Sequence, residues 1–106
     1  MFVEVAKESD VKEGGMKCVS ANGKGLLLSR QGGKFYALDN TCPHRQGPLC
    51  EGSLSGKVVT CPIHAVQFDV TTGKVAASPF KPEVWAPKDA KAYSTKVENG
   101  KILVDV

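Results

Sequence analysis

The sequence predicts an all-β protein, its small antiparallel sheets packed as a sandwich or open barrel. Three observations carry this. No stretch repeats apolar residues at helical spacing over several turns, whereas apolar and polar residues alternate in short runs. Asn22-Gly23 and Asn99-Gly100 each divide two such runs, and Asn-Gly suits a type I′ hairpin turn because both central residues need positive φ. Finally, 11 glycines and 6 prolines in 106 residues interrupt the chain too often for long helices.

In order, the first strand is expected over Phe2 to Ala6, where Glu4 stands between Val3 and Val5, and Gly14-Gly15 ends a polar link. Met16 to Ser20 and Gly25 to Arg30 flank the Asn22-Gly23 turn. Lys34 to Asp39 follows Gln31-Gly32-Gly33, so the first forty residues read as a meander. Further strands are expected over Lys57 to Thr60, Ala65 to Val70 and, after Thr71-Thr72-Gly73, Val75 to Ala77. Residues 78–90 contain Pro79, Pro82 and Pro87, which suit neither a central strand nor a helix interior; this is a long ordered loop that Phe80 and Trp85 anchor. Lys91 to Glu98 and Lys101 to Val106 close the chain as a hairpin with Ile102, Val104 and Val106 on one face.

Composition narrows the function. The length suits one domain, 1–106, with a single modest core. No apolar run approaches the ~20 residues that span a bilayer, and Met1-Phe2-Val3-Glu4-Val5 has no signal character, so a cytoplasmic protein without a membrane partner is expected. A formal charge of +3, with no basic cluster interleaved with aromatics, argues against nucleic acid. Four cysteines would allow two disulfides in a secreted chain. In a reducing compartment Cys18 and Cys50 are more simply free thiols, one packed in a strand and one in a loop, with a Cys18–Cys50 disulfide as the alternative.

The chemistry concentrates in Thr41-Cys42-Pro43-His44-Arg45-Gln46-Gly47-Pro48-Leu49 and Thr60-Cys61-Pro62-Ile63-His64. Both histidines of the chain lie here, each shortly after a cysteine, as C-x-H and C-x-x-H. Proline after each cysteine fixes φ near about −65° and stiffens the knuckle. Two thiolates and two imidazoles would also suit tetrahedral zinc, but the usual zinc knuckles pair like ligands, whereas here unlike ligands are paired.

This mixed pattern resembles the Rieske [2Fe–2S] family, in which two cysteines hold one iron and two histidines the other. The likeness runs through Cys42-Pro43-His44-Arg45-Gln46-Gly47-Pro48-Leu49 and Cys61-Pro62-Ile63-His64-Ala65-Val66-Gln67-Phe68-Asp69, and includes the turn Thr72-Gly73-Lys74. It implies a Rieske-type fold with a two-loop cluster-binding subdomain, loops at about 41–50 and 60–65. It also implies one [2Fe–2S] cluster per chain, with Cys42, His44, Cys61 and His64 as ligands and no catalytic residue. Two ferric ions, two sulfides, two thiolates and two neutral imidazoles sum to zero charge, so an added electron is tolerated more easily than in an all-cysteine cluster. Such centres span about −150 to +300 mV against about −400 mV for plant-type ferredoxins.

Within that range the resemblance points low. High-potential members carry a disulfide cysteine in each loop and hydroxyl donors to the cluster sulfurs; this chain has Gly47, Ile63, Val66 and Phe68 at those positions. The implied protein is a low-potential, soluble, monomeric ferredoxin, not itself an enzyme, that passes electrons from a flavin reductase to a terminal oxygenase such as an aromatic-ring-hydroxylating dioxygenase. Arg45, Lys81 and Lys88 are candidates for its docking face, and Leu49 for shielding the cluster. Two other functions fit the residues: the small Rieske subunit of a nitrite reductase system, and a structural zinc-binding interaction module.

Overall fold

The computed structural model describes residues 1–40, 49–62, 65–79, 81, 83 and 88–106. Three antiparallel sheets contain its strands. β2 (Met16–Ala21), β3 (Lys24–Gln31) and β4 (Lys34–Asp39) form a meander that β9 (Ala92–Tyr93) completes on the far side of β4. β1 (Phe2–Lys7), β11 (Lys101–Asp105) and β10 (Thr95–Glu98) form a second sheet in that order. β5 (Ser53–Ser55), β6 (Val58–Thr60), β7 (Gln67–Asp69) and β8 (Val75–Ala77) form a third, smaller one. Two short 3-10 turns, Glu8–Asp10 and Leu49–Glu51, are the helical pieces among the described residues.

The meander sheet is covered on both faces, and β3 shows why. Leu26, Leu27 and Leu28 are all fully buried. Successive strand residues point to opposite faces, so a run of three leucines needs apolar cover on each side. Leu26 and Leu28 join Ala6, Val11, Ala21, Phe35, Ala37, Ile102 and Val104 beneath the terminal sheet. Leu27 joins Leu38, Leu49, Val59, Cys61, Val66, Phe68, Val70 and Ala90 beneath the small sheet. The packing therefore has three layers and two apolar clusters, where the sequence suggested one core.

Several expected boundaries move. β1 does not start the meander. It pairs with β11, where Val3 faces Val104, and the N-terminal amine lies 2.5 Å from Asp105 Oδ1. The link through Gly14 and Gly15 carries the chain from the terminal sheet to the meander: Gly14 N–H donates to the Arg30 carbonyl and Arg30 N–H to the Gly15 carbonyl. The run Lys91 to Glu98 divides at Ser94, with β9 on the meander and β10 beside β11, so the closing hairpin is β10–β11 alone. β5 was hidden by its length and its flanking glycines. Both Asn-Gly turns have the expected backbone: φ is 51° and 78° at Asn22 and Gly23, and 51° and 76° at Asn99 and Gly100.

The corrected position of β9 creates a titratable contact. Tyr93 donates its hydroxyl to Asp39 Oδ1 at 2.7 Å, closing the β4–β9 edge. Burial first, then that hydrogen bond and the Asp39 charge, push the phenol up to about 12 from 10.0. A raised folded value means that this contribution to stability is complete below pH 10.0 and is lost as pH rises through about 12. Absorbance titration of the native protein should therefore show one tyrosine ionising only near pH 12, and Tyr93→Phe should remove that late step.

Candidate metal centre

Two closed necks mark where the motif segments leave the sheets. Asn40 follows β4 directly and closes the first. Its carbonyl accepts the Leu49 N–H at 2.6 Å and its side-chain Oδ1 accepts the Cys50 N–H at 2.7 Å, while its own N–H donates to the Gly25 carbonyl. The residue before the segment 41–48 and the two after it are thereby held together on β3. Leu49 is fully buried and lies in the cluster that contains Cys61 and Val66. It is thus a core leucine whatever else it shields. Asn40 was not singled out in the sequence, although an asparagine beside the first knuckle is a residue whose side chain readily bonds nearby backbone.

The second neck starts at Cys61. Its N–H donates to the Val66 carbonyl at 2.9 Å and its carbonyl accepts the Ala65 N–H at 3.1 Å. Ala65 has φ of 61°, a left-handed backbone that ends the extended geometry expected from Ala65 onward, so β7 begins only at Gln67. Farther along, Asp69 accepts the N–H and hydroxyl of Thr71 at 2.8 and 2.6 Å, and Lys57 Nζ stands 3.7 Å away. Burial alone would raise the Asp69 carboxyl, but the Thr71 bonds and Lys57 outweigh it and hold the group below its ordinary value. Gly73, at φ of 80°, then passes so close to Ala90 that any Cβ would run into the Ala90 carbonyl oxygen. Ala90 N–H in turn donates to the Gly73 carbonyl, which ties the end of the proline-rich segment to this sheet.

Of the four expected ligands, Cys61 is described: it is buried, 2% exposed, and a free thiol. Cys42, His44 and His64 lie outside the described residues, as do Arg45, Gly47, Ile63, Phe80 and Trp85. Lys81 and Lys88 are both exposed, and Lys88 is engaged in an interaction. Among the described residues no group of three or more His, Cys, Asp or Glu gathers around one point, and no helix is long and apolar enough to cross a membrane.

Cys18 and Cys50 correct the sequence reading. They are not free thiols: a disulfide joins them, with Cα atoms 5.3 Å apart and a sequence separation of 32. Cys18 stands opposite Leu27, on the face of the meander that carries the small sheet, and the turn after Leu49 brings Cys50 to that edge. The pairing uses two of the chain's four cysteines, and the two left are those of the motif, Cys42 and Cys61.

Both necks are pinned on one apolar cluster of an all-β module, and the second begins at a buried free cysteine. Residues 1–96 match the Rieske [2Fe–2S] domain. The chain is 35% identical over 103 residues to the ferredoxin component of the naphthalene 1,2-dioxygenase/salicylate 5-hydroxylase systems of Ralstonia sp., covering 97% of this chain and 93% of that one. Its fold superposes on one chain of the structure described as a complex of reduced oxygenase and oxidized ferredoxin in carbazole 1,9a-dioxygenase, with a TM-score of 0.84, 33% identity and coverage of 97% of this chain and 91% of that one. The ferredoxin of carbazole 1,9a-dioxygenase from Nocardioides aromaticivorans IC177 is similar to it at 29% identity, with a TM-score of 0.84 and coverage of 98% and 96%.

The chain belongs to the Rieske [2Fe–2S] family. A Rieske domain implies a [2Fe–2S] cluster, and the chain is an electron carrier of that type, an electron-transfer component in place of a catalytic enzyme. The donor chemistry fits: Cys61 offers a buried thiol, and the disulfide removes the two non-motif cysteines from competition.

Proposed function

We propose that the chain takes single electrons from a flavin-dependent reductase and delivers them to a terminal oxygenase of the aromatic-ring-hydroxylating kind, working as a cytoplasmic monomer. Residues 1–106 form a single domain in this reading, with cluster-holding loops at about 41–50 and 60–65. Cys42 and Cys61 hold one iron of a single [2Fe–2S] cluster, and His44 and His64 hold the other. The observation that carries the reading is the near end-to-end correspondence with a ferredoxin component, over 97% of this chain and 93% of the relative.

When bound, the cluster supplies a one-electron couple. The chain's part is to hold and screen it. Val66 and Phe68 are both fully buried and have no hydroxyl, so neither side chain can donate a hydrogen bond to a sulfide. Fewer donors leave the reduced charge less stabilised, which lowers the potential. Redox titration should give a midpoint in the lower part of the family's span of about −150 to +300 mV; a value above about +100 mV would defeat the low-potential assignment. Phe68→Tyr should shift the midpoint upward if its hydroxyl reaches a sulfide. Product formation by a reductase and a ring-hydroxylating oxygenase should depend on added protein, and a system that runs equally well without it would overturn the carrier assignment.

A further inference from the structure

The Cys18–Cys50 disulfide joins an edge strand of the meander to the first neck. β2 is the outer strand of the meander, Cys18 is exposed on it, and Cys50 is half-buried. Cys18 is therefore the half of the cystine that faces solvent, while Cys50 sits at the first neck, one residue from fully buried Leu49. At the same neck, Asn40 holds the N–H groups of Leu49 and Cys50. The disulfide is thus an additional clamp on a closure that has its own hydrogen bonds and apolar anchor. Opening it removes one restraint without dismantling the sheet.

We propose that Cys18–Cys50 is a thiol-exchange site, opened by a dithiol reductant, whose state sets how firmly the first neck is closed and so how readily the bound cluster is lost. The coupling to cluster loss rests on the reading above, because the segment between Asn40 and Leu49 carries Cys42 and His44. A thiolate of the dithiol attacks Cys18 Sγ, the protein S–S bond breaks, and Cys50 leaves as a thiolate that takes up a proton. The reductant's second thiol then attacks its own sulfur in the mixed disulfide and releases Cys18 as a thiol. The dithiol leaves as a disulfide, having given two electrons and two protons to the cystine. Exposure decides the order of events, since attack falls on the exposed residue of the pair.

The test uses the holoprotein with dithiothreitol under anaerobic conditions. Rapid alkylation and peptide mass analysis should find Cys18 and Cys50 labelled while the visible absorbance persists. Iron release to a chelator should then quicken by roughly five-fold, the lower end of ordinary coupling between two sites. Cys18→Ser protein should release iron at the faster rate from the start and show no further response to dithiol. Amide hydrogen exchange at Leu49 and Cys50 should also quicken on reduction; this readout does not depend on a cluster, so it separates failure of this inference from failure of the electron-carrier reading. A cystine that resists dithiol until the protein unfolds would overturn the proposal. So would unchanged exchange at the neck, or an equal acceleration of iron loss by dithiol in Cys18→Ser protein.

Discussion

Cys61→Ser protein is expected to fold, to purify without the reddish-brown colour of the parent, and to show no rhombic signal in reduced electron paramagnetic resonance. The backbone around residue 61 makes the turn by itself, through the Cys61 N–H to the Val66 carbonyl and the Ala65 N–H to the Cys61 carbonyl, and serine supports both bonds. What serine cannot supply is a soft thiolate, the donor that iron–sulfur centres require. The residue is buried, so water has little access from which to fill the lost position. Iron analysis should therefore fall to nearly nothing while far-ultraviolet circular dichroism keeps the β signature. Cys18→Ser is the matched control: it also removes one sulfur, yet it should keep its colour, because Cys18 belongs to the disulfide. A Cys61→Ser protein that keeps the iron content of the parent would mean that Cys61 is not a ligand.

That contrast also bears on the compartment argument that led the sequence reading to expect free thiols. Glutathione and thioredoxin do keep most cytosolic thiols reduced, and from this Cys18 and Cys50 looked unpaired. The fold places their Cα atoms 5.3 Å apart, a separation that a disulfide spans without backbone movement. Closing a loop of that length is worth about 3–4 kcal/mol in the chain-entropy account. A bond of that worth with one exposed residue, Cys18, persists or opens according to the reductants it meets.

The elements that could be read from the chain alone were those with a local cause. Asn22-Gly23 and Asn99-Gly100 dictate their turns through two positive φ values each, and the strands Lys34–Asp39 and Val75–Ala77 have the expected bounds because a turn flanks each of them. Which strand pairs with which is a non-local property. Nothing within Phe2 to Ala6 reveals that its neighbour is β11, nor does anything near Ser94 reveal that the chain changes sheet there. The same division holds at the candidate centre. Cysteine and histidine spacing carried the resemblance to the Rieske family, since that pattern is local. The neck that Asn40 closes was invisible, because its partners are residues 49 and 50, on the far side of the motif segment.

Phe68→Ala is expected to produce the largest loss of stability of any single core truncation among the described residues. Phe68 is the largest of the fully buried side chains among the described residues, and it lies at the centre of the small sheet, between Val59 on β6 and Val75 on β8. Removing a buried phenyl ring costs about 3–5 kcal/mol, against a total stability of about 5–15 kcal/mol for a domain. Urea denaturation should show a loss of that size, and thermal unfolding a fall of roughly 4–8 °C for each kcal/mol. The position of the loss is more telling than its size. Phe68 shares a cluster with Leu49, Cys61 and Val66, whereas Ile102 and Val104 lie in the other cluster, beyond the meander. If the clusters open separately, Cys61 and Ala65 amides will lose protection first, and iron release will quicken before the β1–β11 pairing exchanges. If protection falls evenly across all three sheets, the shared strand β3, with leucines in both clusters, makes them one cooperative unit. The cluster segments could then open only with the whole protein.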